Sequence, residues 1–176
     1  LEKLKAYLKS PCDQTLDALW EDSGSLFWVD WRDYDDAIVQ YADGYLEDGD
    51  TVSAQVRDSS LERGFDMVIT MGDKQVTVPY ADSHADRDTT LIALSGILAP
   101  KYQLRWFMET LGGDTLAFCL LPAAAWEELE QEYTKPVVDF YFQPVAPDLK
   151  MFELSVDEVW DLLEARREQN PMAQHG

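Results

Sequence analysis

Tyr102-Gln103-Leu104-Arg105-Trp106-Phe107-Met108-Glu109-Thr110 runs through Leu111-Gly112-Gly113-Asp114 into Thr115-Leu116-Ala117-Phe118-Cys119-Leu120-Leu121. Its first half alternates, with Tyr102, Leu104, Trp106 and Met108 on one face and Gln103, Arg105, Phe107 and Glu109 on the other. Its second half is apolar on both faces, the pattern of a strand with neighbours on either side. Gly112-Gly113 supplies the positive φ that a tight turn needs. A central antiparallel hairpin follows from this.

Outward from the hairpin, Asp88 is read as the cap of a helix that places Leu91, Leu94 and Leu98 on one face, with Ile92 and Ile97 widening it. Such a helix is buried against a sheet. Pro122 opens a second helix that turns Trp126, Leu129 and Tyr133 inward. Phe65–Met71 and Gln75–Tyr80 flank Gly72-Asp73-Lys74 as another hairpin, and Pro79 marks an edge because it cannot donate to a ladder. Ser25–Trp31, Thr51–Asp58 and Val137–Phe142 read as strands, and Met151-Phe152 as a short extended piece. Helices are expected over Leu1–Ser10, from a Ser10-Pro11 cap through Leu16, Leu19 and Trp20, and over Tyr34–Leu46. A last helix follows Ser155, capped reciprocally by Glu158 and burying Val156, Val159, Trp160 and Leu163. These elements give an α+β fold, a mainly antiparallel sheet of about five to seven strands with helices packed on it. One domain over residues 1–169 is expected, with 170–176 as a frayed tail.

The formal net charge is −20 over 176 residues. Spread evenly, charges would stand about 20 Å apart, roughly two Debye lengths, and would hardly reinforce one another. They are not spread evenly. Glu21–Asp50 holds ten carboxylates and one base, Arg32. Direct nucleic-acid binding is disfavoured, because phosphate contacts need Lys and Arg. A basic protein partner suits the charge. At 100° per residue, Tyr34, Ile38, Tyr41 and Tyr45 form an expected core face, while Asp36, Asp43 and Glu47 form an acidic ridge opposite. The expected partner-binding residues are Trp31, Asp33, Tyr34, Asp35, Asp36, Asp43, Glu47, Asp48 and Asp50.

Motifs of catalysis are absent from the sequence. It has no phosphate loop, nucleophile elbow or His-Glu-x-x-His run, and Cys12 and Cys119 lack metal-like spacing. Asp48-Gly49-Asp50 fails as a calcium loop, since Gly44 and Leu46 stand where carboxylates belong. Asp82-x-His84-x-Asp86 offers one histidine, short of the three or four ligands of a zinc site. Cys119 lies in an apolar strand without a cation to activate it. No cofactor or metal and no enzymatic activity are expected. No run nears the roughly 20 apolar residues of a membrane span, and no basic-then-apolar leader is seen, which gives the cytoplasm as the expected compartment.

The runs Asp88-Thr89-Thr90-Leu91, Leu98-Ala99-Pro100-Lys101-Tyr102, Arg105-Trp106-Phe107, Gly113–Phe118 and Leu121–Leu129 resemble the C-terminal half of small bacterial immunity proteins. Those are encoded beside secreted toxins of the contact-dependent or type VI kind. The resemblance spans about residues 85–135. It implies a compact, acidic α+β protein without catalytic residues that blocks a cognate toxin. Oligomeric state does not follow from it. A basic toxin is the partner that the charge adds to this picture. Two alternatives stand beside it: a DNA mimic or regulatory adaptor for a basic protein, and an enzyme using the Asp82-His84-Asp86 loop.

Overall fold

A computed structural model describes residues 1–170. Helices α1 (Glu2–Lys9) and α2 (Asp13–Trp20) lead into strand β1 (Phe27–Asp30) and helix α3 (Asp35–Asp43). Strands β2 (Val52–Asp58), β3 (Phe65–Met71) and β4 (Lys74–Thr77) follow, then α4 (Arg87–Leu98). Next come β5 (Tyr102–Phe107), β6 (Thr115–Pro122), α5 (Ala123–Tyr133), α6 (Lys135–Tyr141), β7 (Phe142–Pro144) and α7 (Val156–Gln169). Of the expected frayed tail only Asn170 is among the described residues, half-buried with its side chain 3.5 Å from the Tyr141 hydroxyl; the rest lies outside them.

The fold is α+β, with every strand pair antiparallel. The strands divide into two sheets, β1-β6-β5-β7 and β2-β3-β4, where a single sheet was expected. Strand β6 is internal, between β1 and β5, as its two apolar faces require. Leu116, Phe118 and Leu120 join one core with α3, α4 and the inner face of β2-β3. Ala117 and Cys119 join a second core on the opposite face, with α1, α2, α5 and α6. Burial pushes the Cys119 thiol up to about 12, so it remains protonated at neutral pH.

Several local readings are corrected by tertiary contacts. Ser10 ends α1, and α2 starts from Cys12, whose N–H donates to Thr15 Oγ1 at 3.1 Å. Asp86, not Asp88, caps α4, accepting the Thr89 N–H at 2.7 Å. Asp88 is buried instead and accepts the backbone N–H groups of Met151, Phe152 and Glu153 at 2.8–3.1 Å. The expected extended piece at Met151-Phe152 is therefore a bend wrapped on one carboxylate. Strand β5 stops at Phe107 because Thr110 folds the chain into a 3-10 turn. Its hydroxyl donates to the Phe107 carbonyl at 2.7 Å and accepts from Trp106 Nε1 and the Ala117 amide, both at 3.2 Å.

The expected strand at Val137–Phe142 is mostly helix α6. Helical spacing lets Val138 and Tyr141 enter the core together while Asp139 reaches the guanidinium of Arg105. Arg105 is 2% exposed, which an outward-facing strand position does not lead one to expect. Its Nε donates to Gln103 at 2.8 Å, its Nη2 to Glu130 at 2.6 Å and its Nη1 to Asp139 at 2.9 Å. Lys135 bridges the two carboxylates, and Trp126 lies against the guanidinium with its ring centroid 4.3 Å away. A buried cation is tolerated only with this degree of pairing.

Removing one partner of such a group leaves the others uncompensated. Arg105→Ala is expected to lower the unfolding free energy by about 3–5 kcal/mol, read by urea denaturation. Burial raises the Glu130 carboxyl, but Arg105 and Lys135 outweigh it and set its pKa below the ordinary 4.5. A depressed folded pKa gives stability that is complete above 4.5 and lost as pH falls through the folded value. Denaturation midpoints are therefore expected to drop below pH 4.5, and less steeply in Glu130→Gln.

Candidate partner-binding surface

Strand β1 is an edge, so its outward-facing backbone groups need a plug or a partner. Asp33 supplies the plug. Its Oδ2 accepts the Asp30 N–H at 2.9 Å, and its own N–H donates to the Asp30 carbonyl at 2.9 Å. The turn between β1 and α3 is fixed further by Asp30, whose carboxylate accepts the Arg32 amide at 2.8 Å and the guanidinium at 2.9 and 3.1 Å. The Arg32 guanidinium and amide hold the Asp30 carboxyl well below the usual carboxylate range. The Trp31 amide donates to the Asp114 carbonyl at 3.0 Å, and Arg87 Nη2 donates to the Asp33 carbonyl at 2.5 Å. Seven hydrogen bonds therefore hold one short turn.

That turn presents two aromatic rings to solvent. Trp31 is 55% exposed and Tyr34 is 82% exposed. The helical spacing of the tyrosines predicts Tyr34 in the core, and the structure reverses this. Tyr34 is the N-cap of α3, and the contact face is Asp35, Ile38, Val39 and Ala42. The smaller Val39 and Ala42 occupy that face, and Tyr41 is displaced to its flank. Asp35, expected among the partner-binding residues, is buried instead and accepts the Thr90 hydroxyl at 2.6 Å.

The other expected acids divide by what neutralises them. Asp50 pairs with Lys101, and both Lys101 and the Tyr102 hydroxyl lower its pKa. Glu47 stands 3.7 Å from the same lysine. Asp43 accepts the Thr51 hydroxyl and the Val52 N–H, both at 2.8 Å, and has no ion-pair partner among the described residues. Asp36 and Asp48 have no ion-pair partner among the described residues. Trp31, Asp33, Tyr34 and Asp36 thus adjoin one another at the start of α3, while Asp43–Asp50 occupies its far end.

No family model, no curated protein and no solved structure matches this chain. Its own geometry carries the functional reading. The Asp82-His84-Asp86 loop does not converge: Asp82 lies 3.6 Å from Arg63, His84 Nδ1 lies 2.9 Å from Ser83 Oγ, and Asp86 serves as a helix cap. Among the described residues no three of His, Cys, Asp and Glu are grouped to hold a metal ion. No helix there is long and apolar enough to cross a membrane.

Sequence reasoning missed one surface. Val156 is 73% exposed and Trp160 61%, although both sit in the stripe expected to be buried. Helix α7 rests on the β5–β6 turn through Val159, whose Cγ1 would stand 2.6 Å from any Cβ at Gly112. The Trp31 amide is tied to the same turn at Asp114, so Trp31 and α7 both adjoin the β5–β6 turn. Helical periodicity does not mark Val156 and Trp160 as exposed, because an apolar stripe in water has the same spacing as one facing a core.

Asp33→Ala is expected to release the Asp30 amide to fast hydrogen exchange and to lower stability by about 1–2 kcal/mol. An unchanged exchange rate at Asp30 would show that the plug does not hold the edge.

Proposed function

We propose that this chain neutralises a basic bacterial toxin by binding it, as an immunity protein does. The observation that carries the reading is the Trp31–Tyr34 turn. Two large rings stand in water on a backbone held by Asp30, Asp33, Asp114 and Arg87, beside the unpaired Asp36. Exposed aromatic rings on a pre-set backbone lose little freedom on binding, and Trp and Tyr dominate interface energetics. The acidic surroundings would steer a Lys- and Arg-rich partner onto them and raise the association rate. Asp35, Asp43 and Asp50 serve chiefly to hold the fold around this surface. Inhibition would be stoichiometric and without turnover, and the toxin would dock at the exposed end of α3.

Co-purification with the product of the adjacent gene tests the reading directly, with a one-to-one complex expected. Trp31→Ala and Tyr34→Ala are each expected to weaken that complex by about 2 kcal/mol, roughly thirtyfold, without changing the far-UV spectrum of the free protein. Association rate should fall steeply with added salt while dissociation rate changes little. A complex equally tight in the double variant would move the interface elsewhere.

A further inference from the structure

Beside the Trp31–Tyr34 turn, an open groove of about 500 Å³ crosses the outer edge of β1. Trp20 and Trp28 line it as a pair, with ring centroids 6.0 Å apart and planes at 79°. Tyr41, Tyr45 and the exposed Glu21 line it as well. Burial and then the neighbouring Asp33 carboxylate raise the Tyr41 phenol pKa, so the groove and the turn share a boundary at Tyr41 and Asp33. Trp20 is 42% exposed, although its helix reads as burying it.

We propose that this groove receives a lysine or arginine side chain from an extended segment of the partner. Three observations converge on that occupant. Aromatic faces carry negative potential and attract a cation placed over them, most strongly for Trp. No cation pairs with Glu21 among the described residues, so an unpaired carboxylate lines an aromatic groove. The backbone of β1 adds the third. Asp30 turns its N–H and C=O to Asp33, and the Leu26 carbonyl accepts the Tyr45 hydroxyl at 2.7 Å, so residues 26, 28 and 30 point away from β6. Trp28 lies between those two plugs, and its N–H and C=O face the groove side. One open rung of an edge strand beside a cation slot fits a single residue of an extended chain. The apolar stem of Lys or Arg would lie along the rings while its charge meets Glu21.

The inference rests on the partner being basic, yet it can be tested without that partner. Acetyl-Gly-Arg-Gly-amide is titrated into the ¹⁵N-labelled full chain at physiological salt, with the citrulline peptide as neutral isostere. Indole and amide shifts are expected to be largest at Trp20 and Trp28. The citrulline peptide should bind about fivefold more weakly, the size of a surface cation–π contribution. Trp20→Ala should abolish the response, and Glu21→Gln should reduce it. Equal binding of citrulline, shifts scattered over the acidic surface, or no shift at millimolar peptide would each overturn the proposal. An arginine response without a toxin complex would sink the immunity reading and leave the groove standing. A toxin complex without the arginine response would do the reverse.

Discussion

A strand that is apolar on both faces has to be covered twice, and β6 imposes that condition on the whole molecule. Leu116, Phe118 and Leu120 need one covering layer, and Ala117 and Cys119 need another. Helices α3 and α4 with the second sheet supply the first, and α1, α2, α5 and α6 supply the second. Burying a large apolar side chain stabilises by about 1.5–3 kcal/mol, so each face contributes enough to make its layer obligatory. The remaining strands and helices take their places around that requirement.

Long-range order is set by a few polar side chains placed where apolar packing alone would leave alternatives. Asp88 gathers three backbone amides and fixes the approach to α7. Asp35 ties α3 to α4 through Thr90, which also meets the Tyr80 hydroxyl at 2.6 Å. Arg105 draws α5 and α6 onto the sheet through Glu130 and Asp139. Each is buried and hydrogen-bonded, the condition under which a polar group in a core specifies geometry rather than only costing desolvation. A net charge of −20 therefore overstates the free negative surface. Several carboxylates are structural or ion-paired, while Asp36, next to the exposed rings at the start of α3, has no ion-pair partner among the described residues.

Carboxylates differ in how much charge they leave at the surface. Ion pairs such as Asp30–Arg32 and Asp50–Lys101 cancel charge locally, whereas Asp33 and Asp43 are bonded to N–H and O–H groups and have no ion-pair partner among the described residues to cancel theirs. The field at the surface is thus set by ion pairing and hydrogen-bonding context as much as by the count of acids. Rings held in water by a bonded turn add the apolar centre that charge alone lacks.

Much of the architecture was legible from local pattern. The two-faced run at Thr115–Leu121, the glycine turn before it, the helix carrying Leu91, Leu94 and Leu98 (though not its cap) and the Ser155–Glu158 capping box all depend on residues close in sequence, where periodicity and turn chemistry act directly. The sequence also located the acidic segment and named Trp31 and Tyr34 within it. Tertiary contacts alone decided the rest. Whether Tyr34 is core or surface depends on where α3 begins. Whether Asp35 is a ligand for a partner or for Thr90 depends on α4, fifty-five residues away. Val137–Tyr141 became helix because Arg105 needed Asp139, and Trp160 stayed in water because nothing long-range arrived to cover it. Apolar spacing fixes which residues share a face, but only the packed fold decides what that face meets.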